Sequence, residues 1–218
     1  MGLFDHTLEV EGVNYSNPDV PSFEGQLWVA SWSLTGQLEW FVTGYADDFH
    51  SLASIATAAD GTVYVAGSVE SLDPVALRFS NGLEGAMRFP SDPSGNGPGT
   101  DGFLASFEAD GSARWLKVFG TNGPFAFGDV PAEVTVAGDV VALAHWGSAG
   151  EMVFDDRPDG TLEINGSVIS TWDTRTGWRL VEGCGNRRPH AGSHRRSRGC
   201  GRRPPGGRHL GSAQPNVW

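Results

Sequence analysis

Large apolar residues alternate with small or polar residues in two similar stretches of the chain. Residues 28–40 read WVASWSLTGQLEW and residues 103–115 read FLASFEADGSARW, and the two align without a gap at a spacing of 75. A third copy, VISTWDTRTG at 168–177, shows the same alternation. The matching triplets are Trp28, Ala30 and Trp32; Phe103, Ala105 and Phe107; and Val168, Ser170 and Trp172. Because successive side chains of a β-strand point to opposite faces, each triplet is predicted to lie on one face of a strand.

A turn signal containing glycine follows each of these strands. The turn pairs are Thr35-Gly36, Asp110-Gly111 and Thr176-Gly177. Two further pairs of β-rich runs, at 54–67 and 133–147, correspond to each other and are joined at Asp60-Gly61 and Gly138-Asp139. Glycine adopts the positive φ that a tight hairpin needs, so each of these places predicts a β-hairpin.

The N-terminal segment LFDHTLEVEG (3–12) resembles a stretch much later in the chain. MVFDDRPDGTLEING (152–166) shares its Phe-Asp pair and its Thr-Leu-Glu-apolar run, and the second match lies 154 residues away, close to two repeats. Met1 is therefore predicted to lie inside a repeat.

The repetition favours an all-β fold of β-propeller-type repeats. No stretch shows the 3.6-residue periodicity of a helix. A two-sheet sandwich is the alternative, but it does not explain why residues about 75 apart look alike. We expect about two full units with partial units at both ends. The predicted segments are 1–24, the end of a truncated repeat; 25–99, the first full repeat; 100–166, the second repeat; 167–182, the start of a third repeat; and 183–218, a disordered, non-native tail.

Three stretches carry a resemblance to a known repeat family. TDGFLASFEADGSARWLKVFG (100–120) and GQLWVASWSLTGQLEWFVTG (25–44) resemble the bacterial β-propeller repeat called SBBP, and ATAADGTVYVAG (56–67) is similar to the hairpin of the family unit. The resemblance covers most of residues 1–182. It implies a β-propeller, an exported bacterial parent protein at the surface or in the periplasm, and no catalytic residues. The chain is shorter than a closed propeller, which takes roughly four to eight blades.

Acidic residues dominate the body of the chain, and arginines dominate its end. Residues 1–178 hold 25 of the 26 Asp and Glu but only 6 of the 15 Lys and Arg, whereas residues 179–218 hold 9 Arg and one acid. Phosphate contacts need clustered cations, so we expect the body to repel nucleic acid and anionic membranes. Nucleic-acid binding would depend on the tail alone.

Cysteines and apolar runs add little about localisation. Cys184 and Cys200 both lie in the tail, so they predict neither a disulfide framework nor a metal site in the body. No run approaches the roughly 18 apolar residues of a membrane span. The start, MGLFDHTLEVEG, lacks the basic and apolar regions of a secretory signal. The localisation of this chain is left open by its sequence, and only the family resemblance implies an exported parent.

Two acidic clusters are candidates for metal binding or acid–base chemistry. Asp47, Asp48 and His50 combine carboxylates with an imidazole, but the second repeat holds no matching cluster, which favours a solvated loop. Asp155 and Asp156 lack the alternating spacing and distal Glu of a calcium loop, which favours a polar turn.

Other candidate motifs also favour structural interpretations. His145 and Trp146 end the apolar run VVALAHW, and a single histidine there is typical of a hydrogen-bonded rim residue. GNGPGTDG (95–102) lacks the Lys of a phosphate loop and predicts a loop between strands. The eight Trp could line a carbohydrate groove, yet at least four lie on the alternating strands, where core packing explains them. We therefore predict no catalytic, cofactor-binding or metal-binding residues, and no cofactor.

The basic tail allows two functional interpretations. The nine Arg of residues 179–218, eight of which lie in the tail, could track phosphates as a nucleic-acid-binding arm, but no aromatic residue is interleaved before Trp218. Cys184, His190, His194 and Cys200 could bind zinc, but cysteines 16 residues apart do not fit the usual spacing of structural zinc sites.

A third interpretation is that the reading frame shifts near Glu182 or Gly183. The repeat predicts another alternating hairpin here. Codons for an Arg- and Gly-rich peptide, read one nucleotide later, encode mostly Ala, Val, Gly, Asp and Glu, and so allow such a hairpin. We favour this interpretation because the composition changes where the repeat stops.

The expected function is that of a non-enzymatic repeat fragment. Its parent would serve in binding or structure at the cell exterior, with a protein or a carbohydrate as ligand. Two alternatives stay open: a fragment of a propeller enzyme acting on polysaccharide, with paired carboxylates at one end of the blades, and nucleic-acid binding through the basic tail.

Overall fold

Antiparallel β-strands make up every regular element in the part of the chain that the structure, a computed structural model, describes. That part comprises residues 1–4, 7–15, 26–46, 48–71, 76–86, 99–122, 130–154, 161–177 and 179–181. It lies within one compact unit, Met1–Arg188. A second unit, Pro189–Trp218, and the whole tail predicted at 183–218 lie outside the described residues. The prediction of an all-β chain is confirmed.

The strands follow one another in short intervals along the chain. In order they are β1 (Gly2–Phe4), β2 (Leu8–Val10), β3 (Val13–Tyr15), β4 (Gln26–Trp32), β5 (Leu38–Tyr45), β6 (Asp48–Thr57), β7 (Val63–Ser71), β8 (Ala76–Phe79), β9 (Glu84–Ala86), β10 (Gly99–Phe107), β11 (Ala113–Asn122), β12 (Val130–Ala137), β13 (Val140–Phe154), β14 (Thr161–Asp173) and β15 (Arg179–Val181).

Three sheets contain these strands. One has the order β1-β4-β5-β8-β9, a second has the order β15-β14-β13-β11-β10-β7-β6 with β12 paired to β13, and β2 and β3 form a separate hairpin. The β6–β7 hairpin leaves the first sheet, in which β5 and β8 are neighbours, and pairs with β10. The large sheet therefore joins strands of the first repeat to strands of the second and third copies.

The two full copies pair their strands in the same register. Trp28 of β4 faces Thr43 of β5, and Phe103 of β10 faces Val118 of β11, each 75 residues after its counterpart. The bulge in this hairpin and the pairing of the following strand recur at the same spacing. The repeat in the sequence is therefore also a repeat of strand pairing.

Glycine turns close the predicted hairpins, which are confirmed. Gly36, Gly111 and Gly177 have φ values of 81°, 80° and 64°, in the turns that follow β4, β10 and β14. Gly61 and Gly138, in the β6–β7 and β12–β13 hairpins, have φ values of 87° and 57°. These are left-handed conformations, which glycine adopts without strain.

Strand β10 is buried on both faces because it lies between two apolar clusters. Phe103, Ala105 and Phe107 pack against side chains of β4, β5 and β8. The opposite face contributes Leu104 to a cluster that contains Trp172 of β14. Full burial of a large apolar side chain contributes roughly 1.5–3 kcal/mol, so these clusters are a main source of attachment between successive copies.

Two sequence expectations about the strands and their tryptophans are wrong. The loop predicted at 95–102 is strand over residues 99–102, because β7 supplies backbone partners for this glycine-rich segment, while residues 95–98 lie outside the described part. The tryptophans of the alternating strands do not all pack in the core. Trp115 and Trp172 are buried, but Trp32 is 43% exposed.

Candidate functional site

The first repeat contacts the second through a tryptophan that lies on a glycine turn. Trp40 of β5 donates its Nε1–H to the carbonyl oxygen of Ala109 at 2.8 Å. A Cβ atom on Gly111 would lie 2.7 Å from the Trp40 ring, so the ring lies directly against the backbone of this turn. Asn81 donates from Nδ2 to the carbonyl oxygen of Gly111 at 2.8 Å. Two donors of the first repeat therefore hold the turn of the second.

The same contact joins the second repeat to the third copy. Trp115 donates its Nε1–H to the carbonyl oxygen of Thr174 at 3.1 Å, and a Cβ atom on Gly177 would lie 2.7 Å from the Trp115 ring. The Tyr64 hydroxyl donates to the same oxygen at 3.4 Å. We call each of these contacts, an indole on the glycine turn of the next repeat, a tryptophan clasp.

The clasp requires glycine in the turn. Positive φ already disfavours other residues at Gly111 and Gly177, and a side chain there would also overlap the ring. Each clasp tryptophan lies four residues after the turn glycine of its own repeat. This spacing was visible in the sequence, but Trp40 and Ala109 are 69 residues apart, so the spacing alone does not show which turn the ring meets.

Three turns of successive copies line a cleft of about 380 Å³. The β6–β7 turn contributes Asp60, the β12–β13 turn contributes Asp139, and the turn after β14 contributes Thr174 and Arg175; Tyr64 also lines the cleft. The backbone N–H of Thr174 donates to the carbonyl oxygen of Asp139 at 3.0 Å, which joins two of the turns. Two carboxylates and one guanidinium make the cleft suitable for a polar ligand.

Hydrogen bonds and burial set the ionisation of two groups in the cleft. Oδ1 of Asp60 accepts the backbone N–H of Thr62 at 3.0 Å, and this bond, with that of the Thr62 hydroxyl, lowers the pKa of Asp60. Burial raises the pKa of Tyr64. At neutral pH Asp60 is therefore a carboxylate and Tyr64 a neutral phenol. Neither has a pKa matched to proton transfer near pH 7.

His145 lies in the core and not at the rim that the sequence predicted. Its Nε2 is 2.9 Å from Oγ of Ser170, and its ring contacts Phe119 and Phe154. Burial lowers the pKa of His145 to about 4, so the imidazole is neutral at pH 7. The reason for the error is the alternation of β13, which turns His145 to the same buried side as Leu143.

The remaining sequence candidates do not form a site in the described part. Trp146 is exposed. The loop favoured for Asp48 and His50 is wrong, because both lie at the start of β6, which pairs with β7. Outside the described residues lie Asp47, Asp155, Asp156, Cys184, His190, His194 and Cys200. Within the described ranges, no three His, Cys, Asp or Glu side chains are placed to hold a metal ion.

Comparisons with known proteins do not identify a family for this chain, so a function has to be assigned from the geometry. No helix among the described residues is long and apolar enough to cross a membrane. No protein-family model matches the chain, and no curated protein matches it.

Proposed function

We propose that the chain is a β-propeller-type repeat scaffold without enzymatic activity, part of an SBBP-like parent protein that serves in binding or structure at the cell exterior. One observation carries the proposal: the tryptophan clasp recurs at both junctions between copies. Repeat proteins derive much of their stability from such nearest-neighbour interfaces. The strand faces serve packing between copies, which leaves the turns to contact a ligand.

Packing of successive copies in series supports a propeller-type arrangement. A sandwich encloses one core between two sheets. Here two apolar clusters lie on opposite faces of the same strand, β10. Propellers bury their blades in this way, each blade between its two neighbours.

The cleft favours a binding role over the alternative of an enzyme acting on polysaccharide. Glycosidases place two carboxyl groups on either side of the scissile bond, and the acid has a raised pKa. Asp60 has a lowered pKa, and its Oδ1 already accepts the backbone N–H of Thr62, so Asp60 does not fit the role of the acid. A protein or carbohydrate ligand that meets polar turns fits this arrangement better than a substrate to be cleaved.

A double-mutant cycle on the full chain tests the scaffold. Trp40→Phe removes the indole donor and keeps a ring, and Gly111→Asn adds a side chain under that ring. Because the two residues are in contact, we expect the two changes in unfolding free energy to deviate from additivity by about 0.5–3 kcal/mol in urea denaturation. The matched control is Trp40→Phe with Gly177→Asn, at the other junction, which should be additive within about 0.5 kcal/mol.

Two results would contradict the proposal. One is additivity of Trp40→Phe and Gly111→Asn, which would show that the clasp does not join the repeats. The other is release of reducing sugars from a polysaccharide by the full chain, abolished by Asp60→Asn, which would establish the enzyme. Salt-sensitive nucleic-acid binding that disappears on deletion of residues 183–218 would support the tail as a binding arm instead.

A further inference from the structure

We propose that Asn81 is a site of spontaneous deamidation, that opening of the junction between the first two repeats sets the rate of this reaction, and that the product leaves the junction weakened. Asn81 and Gly82 lie in the turn between β8 and β9. Asparagine is a thermolabile residue, and a following glycine, which has no side chain to obstruct attack, makes it more reactive. The proposal goes beyond the scaffold function, because it concerns a chemical change in the chain itself.

The reaction uses water as its only co-reactant. The backbone nitrogen of Gly82 loses its proton and attacks Cγ of Asn81, the Cγ–Nδ2 bond breaks, and the side-chain nitrogen leaves as ammonia. The product is a five-membered succinimide, which water opens at either carbonyl to give aspartate or isoaspartate. The side-chain amide is thereby replaced by a carboxylate, with no oxidation or reduction.

The folded turn holds both groups that react. The backbone N–H of Gly82 donates to the carbonyl oxygen of Phe79 at 2.9 Å, so the attacking nitrogen is engaged. Nδ2 of Asn81 donates to the carbonyl oxygen of Gly111 at 2.8 Å, so the second repeat holds the side-chain amide. Attack requires a free backbone nitrogen and an amide that rotates toward it. Both hydrogen bonds must therefore break, and the second breaks only when the first junction opens.

Deamidation removes the group by which Asn81 holds the second repeat. An ionised aspartate has no N–H to donate to the carbonyl oxygen of Gly111. Oδ1 of Asn81 is buried and has no hydrogen-bond partner among the described residues. A carboxylate in its place would bury a charge without a partner, which costs more free energy than burying a neutral amide. Of the two donors to the turn of the second repeat, only the indole of Trp40 would then remain.

The second junction offers a comparison, because a different set of groups holds it. Trp115 and Tyr64 donate there to the carbonyl oxygen of Thr174. The residue 75 positions after Asn81 is Asp156, which has no amide to lose and lies outside the described residues. Deamidation at Asn81 is therefore expected to loosen the first junction alone.

Peptide mapping of the full chain measures the reaction. Trypsin releases residues 79–88, in which Asn81 is the only residue with an amide side chain, so the mass change from amide to acid in this peptide reports its deamidation. During incubation at pH 8, we expect Asn81 to deamidate at least about 10-fold more slowly in the folded chain than in the chain unfolded in urea, because the reaction requires local opening. Equal rates in the two states would overturn the proposal.

Two tryptophan variants identify the opening that sets the rate. Trp40→Phe removes the other donor at the first junction, so Asn81 in the folded chain should deamidate about 5-fold faster, the factor that corresponds to one lost hydrogen bond. Trp115→Phe removes the equivalent donor at the second junction and is the matched control, with an expected rate equal to that of the native chain. Equal acceleration by both variants would mean that Asn81 reacts only after global unfolding, and would overturn the proposal.

Asn81→Asp tests the effect of the product on the junction. We expect the indole N–H of Trp40 to exchange with solvent at least about 10-fold faster in this variant than in the native chain, and that of Trp115 to keep its rate. Unchanged exchange at Trp40 would overturn the proposal, since deamidation would then not weaken the junction. Non-additivity of Trp40→Phe and Gly111→Asn would show that the scaffold function stands even so.

Discussion

Acid should destabilise this protein through His145 before its carboxylates are protonated. The imidazole is buried against Phe119 and Phe154, and burial lowers its pKa from 6.5 to about 4. In the unfolded chain the same group regains its ordinary pKa near 6.5. The unfolded state therefore binds a proton between pH 6.5 and pH 4 that the folded state does not bind, and stability falls as pH falls through this interval.

The size of the effect follows from the two pKa values. The difference between a pKa near 6.5 in the unfolded chain and about 4 in the folded chain corresponds to about 3 kcal/mol when the titration is complete. Between pH 8 and pH 5 the loss is about 2 kcal/mol, and it levels off below pH 4. Carboxylates such as Asp60 and Asp173, whose pKa values are lowered by hydrogen bonds from Thr62 and Thr176, lose their contribution only at lower pH.

Urea denaturation at a series of pH values measures this loss. With a slope of about 2 kcal/mol per molar urea, the midpoint should fall by about 1 M between pH 8 and pH 5. In His145→Gln the side chain cannot titrate, so the fall over this interval should be almost absent, whatever the constant cost of the substitution. In Ser170→Ala the fall should persist, because burial and not the hydrogen bond lowers the pKa.

A parallel loss of stability in the native chain and in His145→Gln would refute this reasoning. It would place the titrating group elsewhere, for instance in one of the other five histidines. A native midpoint that does not change between pH 8 and pH 5 would refute it as well, since it would mean that His145 titrates in the folded state as it does in water.

Four further substitutions test the turns and clasps, each by urea denaturation at pH 7. Gly111→Asn should destabilise the chain by about 1–3 kcal/mol because its Cβ overlaps the Trp40 ring, whereas Gly36→Asn should cost less than about 0.5 kcal/mol; equal costs would contradict the clasp. Trp115→Phe should lower the free energy of unfolding by about 1 kcal/mol, because the indole hydrogen bond is lost. An unchanged free energy of unfolding would show that this hydrogen bond does not stabilise the fold. Asp173→Ala should lower the urea midpoint, because Oδ1 of Asp173 accepts three hydrogen bonds within its turn, and should leave the β4–β5 hairpin unaffected in hydrogen exchange.

Strands and turns could be predicted from the sequence, because they depend mainly on residues that are close together in the chain. Alternation at period two located β4 and β10, and the glycines at 36 and 111 located their turns, since a tight hairpin needs positive φ. The strand register was not predicted, but it repeats at the spacing of 75 that the sequence shows, because equivalent residues pair in both copies.

Contacts between residues that are far apart in the chain could not be predicted in the same way. The glycines at 99–102 favour a loop by local propensity, but β7 pairs with them and makes them strand. The burial of His145 could have been found from the alternation with Leu143, although its partner Ser170 could not. The clasps escaped prediction because the indole and the turn that it contacts belong to different repeats.

Exchange of the indole N–H groups tests the joining of the repeats most directly. In the ¹⁵N-tryptophan-labelled full chain, substitution to Phe assigns the resonances of Trp40 and Trp115. We expect these two indole protons to exchange with solvent much more slowly than that of Trp32, because each is donated to a turn carbonyl of the next repeat. Exchange of Trp40 and Trp115 at the rate of the exposed Trp32 would contradict the account, since no clasp would then hold one repeat to the next.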